Sequence, residues 1–254
     1  MCCDSAHKTL PVVTGGAYLH LAHDAPVQDE AAVRGALALF GSTSPSYLIL
    51  QSLDACNAVL AGDYPRRLVQ CCAALEGLRR SLNETAAARQ CPVPLAVAGA
   101  QQEPMKLTLD AAALGCTGTA LADALRRAQM ECEYADPRYV VLMFTPENPP
   151  QDFERLQTAL EQLLAAVPAG LPRPENRAGE FAALQQAVQR CTIRQAVLGA
   201  QVRIPVHKAL GRVCAMPTVS CPPAIPVAVS GEEITPAAIA LMQRYGIEEL
   251  SVLR

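Results

Sequence analysis

Two proline-bearing breaks constrain this chain most. One is Cys91-Pro92-Val93-Pro94, and the other is the stretch from Pro168 to Ala178. Proline fixes φ, withholds a backbone donor and pushes its neighbour towards extended backbone, so neither break can lie inside a helix or a central strand. The chain therefore divides into residues 1–90, residues 91–167, a linker over 168–178, and residues 179–254. At 254 residues the chain allows one large or two medium domains with real cores, and the composition narrows what can fill them. Hydrophobic residues make up 51% but aromatics only 4%, with no Trp, so Ala and Leu must carry the packing, which favours helix-rich layers.

Residues 1–62 read as the tail of a larger domain. A short strand, Cys2-Cys3, leads into a turn at Lys8. A helix follows from Glu30 to Phe40, with Val33, Leu37 and Phe40 on one face and Gly41 ending it. Ser44-Pro45 reads as an N-cap and first helical residue of a helix running to Ala61. A helix over 65–88 bridges to the second piece. That piece reads strand (106–109), helix (119–129), strand (131–134), strand (139–144), helix (150–166), a compact α/β layer. Gly115-Cys116-Thr117-Gly118-Thr119 lacks the lysine and spacing of a phosphate loop and reads as helix entry. After the linker come a helix at 193–198, an amphipathic helix around His207 and Lys208, and strands at 218–221 and 227–229. A helix at 236–245 and a strand at 249–253 close the chain.

Composition also excludes function classes. Net charge is −3 and the isoelectric point near 5.8, which gives no basic footprint for nucleic acid. No apolar run reaches the ~20 residues of a membrane span, and no secretory signal is visible. The eleven cysteines are odd in number and contain no C-x-x-C pair. They carry no metal-site spacing, and they read as small buried hydrophobes in a reducing, cytoplasmic setting.

Chemistry concentrates at the start. Ser5, His7, Lys8 and Thr9 put two hydroxyls, an imidazole and an amine into five consecutive positions, ahead of an apolar run with Gly15 and Gly16. A lysine partly desolvated there would favour its neutral amine, the form that condenses with an aldehyde, while the hydroxyls and imidazole suit a phosphate beside it. The residues alone leave a second reading open, a solvated surface lysine, because Ser-x-His-Lys is short and a second pair, His207-Lys208, recurs. Ser42, Thr43 and Ser44 stand just before a helix N-terminus, where an anion or a simple cap would be served.

Four stretches together resemble the Orn/Lys/Arg decarboxylases, pyridoxal-phosphate enzymes of the aspartate-aminotransferase-like fold. They are Ser5–Pro11 with Thr14–His20; Ser42–Leu48 with Ser52-Leu53-Asp54; Lys106-Leu107-Thr108 through Gly118-Thr119 with Glu131-Cys132-Glu133 and Thr145-Pro146-Glu147-Asn148; and Gly211-Arg212-Val213 with Cys221–Pro226 and Ser230-Gly231-Glu232. The resemblance implies an α/β fold class: the tail of a pyridoxal-phosphate fold type I major domain, a small α/β domain, and a C-terminal decarboxylase-type α+β domain. It implies decarboxylation of lysine, arginine or ornithine towards a polyamine or its precursor, with the cofactor as electron sink.

Lys8 would hold the cofactor, Ser5 and His7 would stand beside its phosphate, and Thr43 and Ser44 would approach the phosphate of a neighbouring subunit's site in a homodimer or larger homo-oligomer. Cys221 would line the substrate entrance. Glu232 or Glu233 would meet the substrate's distal cation, although two solvated glutamates capping the 236–245 helix are the plainer reading. No metal ligand set is implied. Cys116 and Cys221 stand where family members often show Tyr, and Ala224 where Gly is frequent, which leaves substrate identity open.

The family's phosphate loop, stacking ring and pyridine-pairing Asp precede the lysine and are not in this sequence. The resemblance thus implies a fragment, a truncated frame or one half of a split enzyme, incomplete or inactive alone. The alternative is a non-catalytic remnant that acts as a dimerisation or interaction module. On either account apolar surface near Val12, Val13 and Leu19 is expected to stay exposed and drive self-association.

Overall fold

The computed structural model describes residues 1–26, 29–99, 102–168, 170–172, 174, 184, 186–216, 218–220 and 225–254. These form two compact units. The first comprises Met1–Leu78, Gln101–Lys106 and Met143–Arg155, and the second Arg79–Ala100, Leu107–Leu142 and Leu156–Arg254.

In the first unit, β1 (Cys2–Asp4) pairs antiparallel with β2 (Tyr18–His20), setting Cys2 opposite His20, Cys3 opposite Leu19 and Asp4 opposite Tyr18. The sequence gives no clear sign of β2, because a three-residue strand is too short to show alternation. Helix α1 spans Glu30–Phe40, as its spacing predicts. Asp29 caps it by accepting from the Ala31 amide, and Arg34 pairs with Glu30 one turn back. None of its residues is buried; Leu39 is 79% and Phe40 91% exposed. Val13 is exposed as expected, while Val12 and Leu19 are half-buried, so the larger apolar exposure lies on α1 rather than around the turn.

Helix α2 starts at Tyr47 and runs to Ala61, with Ser46 and not Ser44 as its cap. The Ser46 hydroxyl accepts from Ile49 N–H at 3.4 Å. Ser44 is spent upstream: its amide donates to the Ser42 hydroxyl, which in turn donates to the Ser44 carbonyl. Helix α3, Tyr64–Ala88, begins in this unit and ends in the second.

The second unit holds a three-stranded sheet in the order β3 (Lys106–Asp110), β5 (Tyr139–Met143), β4 (Tyr134–Ala135). Helix α4 (Gly118–Arg127) is capped by Thr117 and ends with Arg126 and Arg127, cations suited to a helix C-terminus. Gly118 is obligatory, since a Cβ there would collide with the carbonyls of Asp136 and Tyr139. Helix α5 (Pro150–Ala165) begins in the first unit and, from Leu156 on, buries Leu156, Leu160 and Leu164 along one stripe in the second. Helix α6 (Ile193–Leu198) opens with a capping box between Thr192 and Gln195.

The expected helix around His207 shrinks to a single 3-10 turn, Val206–Lys208. The residues before it form β6 (Gln201–Pro205), paired antiparallel with β9 (Glu249–Leu253) from Gln201↔Leu253 to Pro205↔Glu249. Tertiary pairing outweighs the helical spacing there. Strands β7 (Thr218–Ser220) and β8 (Ile225–Ala228) form a second ribbon, and helix α7 (Pro236–Arg244) is capped by Thr235. Val206, Cys214, Ile234, Leu241, Met242, Leu250 and Val252 make the core around this sheet.

The cysteines depart from the expectation. Of those described, Cys56, Cys71 and Cys214 are buried, while Cys2, Cys3 and Cys116 are exposed. Ala and Leu take the core places instead.

Candidate functional site

The Lys8 turn grows out of β1. The strand ends at Asp4, and Ser5 (φ −72°, ψ 90°) bends the chain into one 3-10 turn, Ala6–Lys8. Lys8 N–H donates to Ser5 C=O at 3.1 Å and Leu10 N–H to Ala6 C=O at 2.9 Å. Ala6 is buried beneath. The chain returns through Gly15, whose φ of +102° favours glycine, and Gly16. The Gly16 carbonyl accepts from the His7 amide at 3.4 Å and lies 3.0 Å from His7 Nδ1. That contact places the proton on Nδ1 in the neutral ring and leaves Nε2 to act elsewhere. The return strand is pinned in turn, Tyr18 hydroxyl donating to Leu53 C=O at 2.8 Å and Val13 N–H to the Ser52 hydroxyl at 3.2 Å.

Lys8 itself is exposed, so the desolvation expected from its apolar flanks is not found in this chain. Its amine makes no hydrogen bond or ion pair among the described residues. Ser5 is exposed too, and its hydroxyl caps nothing. At the foot of the turn, Asp4 accepts from the Cys2 thiol at 3.2 Å and lies 3.3 Å from His20 Nε2. The bond to Asp4 pushes the Cys2 thiol up.

The structure thus brings Ser5, His7 and Lys8 into one turn with a free amine, a free hydroxyl and one free imidazole nitrogen. Thr43 and Ser44 are exposed on the loop before α2, without a hydrogen bond to that turn among the described residues. Cys221 lies outside the described residues. Glu232 is half-buried, its carboxylate accepting from Val229 N–H at 2.8 Å, and Glu233 pairs with Arg190 Nε at 2.6 Å. Neither caps α7, because Thr235 does; the capping reading of these two glutamates is corrected.

Sequence reasoning missed three residues around the turn. Tyr64, at the start of α3, donates from its hydroxyl to Thr9 C=O at 3.3 Å. Arg67 lies over the Tyr64 ring and pairs with Glu147 at 3.1 Å. Glu147 belongs to a stretch that the resemblance singled out, Thr145-Pro146-Glu147-Asn148, and that was the one available signal.

Residues 1–104 match the model of the Orn/Lys/Arg decarboxylase major domain. Over that stretch the chain is similar to the Orn/Lys/Arg decarboxylases. Among curated relatives, the uncharacterized protein YaaO of Bacillus subtilis (strain 168) is 27% identical over 248 residues, covering 94% of this chain and 49% of that protein. An arginine decarboxylase of the same organism is 28% identical over 236 residues, 91% of this chain and 47% of that one. The chain spans about half the length of the curated relatives it matches.

Solved decarboxylases share the fold. The Francisella novicida lysine decarboxylase LdcF superposes with a TM-score of 0.73 at 16% identity, over 99% of this chain and 48% of that one. Lysine decarboxylase A of Pseudomonas aeruginosa gives 0.71 at 18%, over 99% and 48%. The fold class is therefore the mixed α/β architecture of these decarboxylases, over roughly half of it. No helix among the described residues is long and apolar enough to cross a membrane.

Proposed function

We propose that this chain carries the lysine-bearing part of a pyridoxal-phosphate-dependent decarboxylase acting on a basic amino acid. The observation that carries this reading is Lys8: an exposed amine without a described partner, in a turn that also presents Ser5 and His7, inside the region matched to the decarboxylase major domain. The donor set fits the cofactor's two reactive ends. An amine suits an aldehyde, and a hydroxyl with an imidazole nitrogen suits a phosphate. Bound, the cofactor supplies an electron sink for the charge left when carbon dioxide departs.

The chain's own residues do the rest. Lys8 would hold the cofactor through its amine, and the same amine would be the group placed to move a proton at the reacting carbon. Ser5 and the free His7 nitrogen hold the phosphate. Thr43 and Ser44 serve a neighbouring copy in a homo-oligomer. Glu232 is the candidate partner of the substrate's distal cation. The remaining contacts of such a site lie outside residues 1–254, a reading supported by these residues spanning about half of the curated relatives. Without those contacts the isolated chain is inactive. Two missing electrostatic contacts of ~3 kcal/mol each cost about four powers of ten in rate.

Borohydride reduction in the presence of pyridoxal 5'-phosphate, followed by peptide mapping, tests this directly. Label is expected on Lys8 and absent in Lys8→Ala. Label on Lys106 or Lys208 instead, or robust carbon dioxide release from the isolated chain, would refute the assignment.

A second reading has its own observation. Leu37, Leu39 and Phe40 on α1 and Tyr47 and Leu48 on α2 are all more than half exposed. That surface fits a non-catalytic interaction module, which would self-associate without taking up the cofactor.

A further inference from the structure

The Lys8 amine makes no hydrogen bond or ion pair among the described residues, so its position depends on how the backbone under it is held. That backbone is one 3-10 turn, and such short turns persist where tertiary contacts anchor them. On one side His7 anchors it to Gly16. On the other side the only side-chain bond among the described residues comes from Tyr64, whose hydroxyl reaches the carbonyl of Thr9, the residue after Lys8.

Tyr64 is itself fixed. It is 4% exposed, so a hydroxyl without an acceptor there would be costly. Burial pushes its phenol up and keeps it a donor through the neutral range. The Arg67 guanidinium carbon lies 5.5 Å from the ring centroid. Arg67 is held between Glu147 at 3.1 Å and Asp63 at 3.3 Å. The loop carrying Glu147 is closed by its own bonds: Thr145 N–H donates to Asn148 Oδ1 at 2.9 Å, Glu147 N–H to the Thr145 hydroxyl at 3.2 Å, and Asn148 Nδ2 to Asp152 at 2.9 Å. The Cys71 thiol donates to Thr145 C=O at 3.6 Å, tying the loop to α3.

We infer that Tyr64 is a positioning residue for Lys8, and that Arg67 and Glu147 hold Tyr64 in place. This rests on the reading of Lys8 as the cofactor-bearing lysine. It assigns the Thr145–Asn148 stretch a role that its distance in sequence from Lys8 conceals.

Tyr64→Phe and Glu147→Gln, each in the full chain, test it with two readouts. The first is amide hydrogen exchange at Thr9, Leu10 and Val12. It is expected to rise about tenfold in Tyr64→Phe, with β6 and β9 and the melting midpoint unchanged. The second is borohydride trapping at Lys8 across a pyridoxal 5'-phosphate titration. The half-saturating concentration is expected to rise about tenfold in Tyr64→Phe and by less in Glu147→Gln. Unchanged exchange in the turn overturns the inference alone. So does a trapping loss that only accompanies a lowered melting midpoint. Absence of trapping at Lys8 in the unaltered chain refutes the reading of Lys8, and the inference falls with it.

Discussion

Asp110 is the one buried carboxylate among the described residues. It accepts from Arg138 through Nε at 3.1 Å and Nη2 at 2.7 Å, the two-pronged geometry that makes such pairs strong, and from the Ala112 amide at 3.1 Å. The same carboxylate ends β3 and starts the 3-10 turn Ala111–Leu114, so one side chain serves the sheet and the turn. Arg138 is held charged, first by its hydrogen bond to Asp110, and lies over the Tyr139 ring. Removing one partner leaves the other half-buried and unpaired. Asp110→Ala is therefore expected to cost about 3 kcal/mol in chemical denaturation. A loss within the range of an ordinary surface substitution would show that the pair is solvated.

At the scale of elements, α1 departs from the usual amphipathic logic, with well-formed caps and nothing buried. Its apolar residues are left exposed, and self-association through them is the expected outcome. Sedimentation at micromolar concentration is expected to show self-association, reduced by Phe40→Glu without loss of helical signal. A monodisperse parent chain would contradict this. The extent of α1 was legible because Val33, Leu37 and Phe40 share one face and Gly41 is a local stop signal. Strand β6 was not, because its identity comes from β9, and apolar spacing through Pro205–Val213 also fits a helix. The site divides the same way. Ser5, His7 and Lys8 are neighbours in sequence and could be found there, whereas Tyr64 reaches Thr9 across 55 residues, a proximity that only folding creates.

Across the whole molecule, the shifts caused chiefly by burial share one sign. Burial pushes up the thiols of Cys71, Cys91 and Cys132 and the phenols of Tyr64 and Tyr139. These groups lose protons later in the folded chain than in the unfolded one, whose values are 9.0 for thiols and 10.0 for phenols. Above about pH 9 the unfolded chain binds fewer protons, so stability falls as pH rises. Below that it is fully retained. Denaturation midpoints are expected to be flat with respect to these groups up to about pH 8.5 and to decline above it; a rise on the alkaline side would contradict the assigned burial.

The pairing of β6 with β9 has a consequence in time. Leu250 and Val252 sit in the core with the last strand, and Arg212 and Val213 bond back to Leu253. On the ribosome, this core stays open until residue 253 has cleared the exit tunnel, while the Lys8 turn and its α3 anchor are already free to form. The chain is thus assembled front first, and a stalled or prematurely terminated product would present a finished lysine turn joined to an unsealed sheet edge, the kind of surface that chaperones hold and proteases cut.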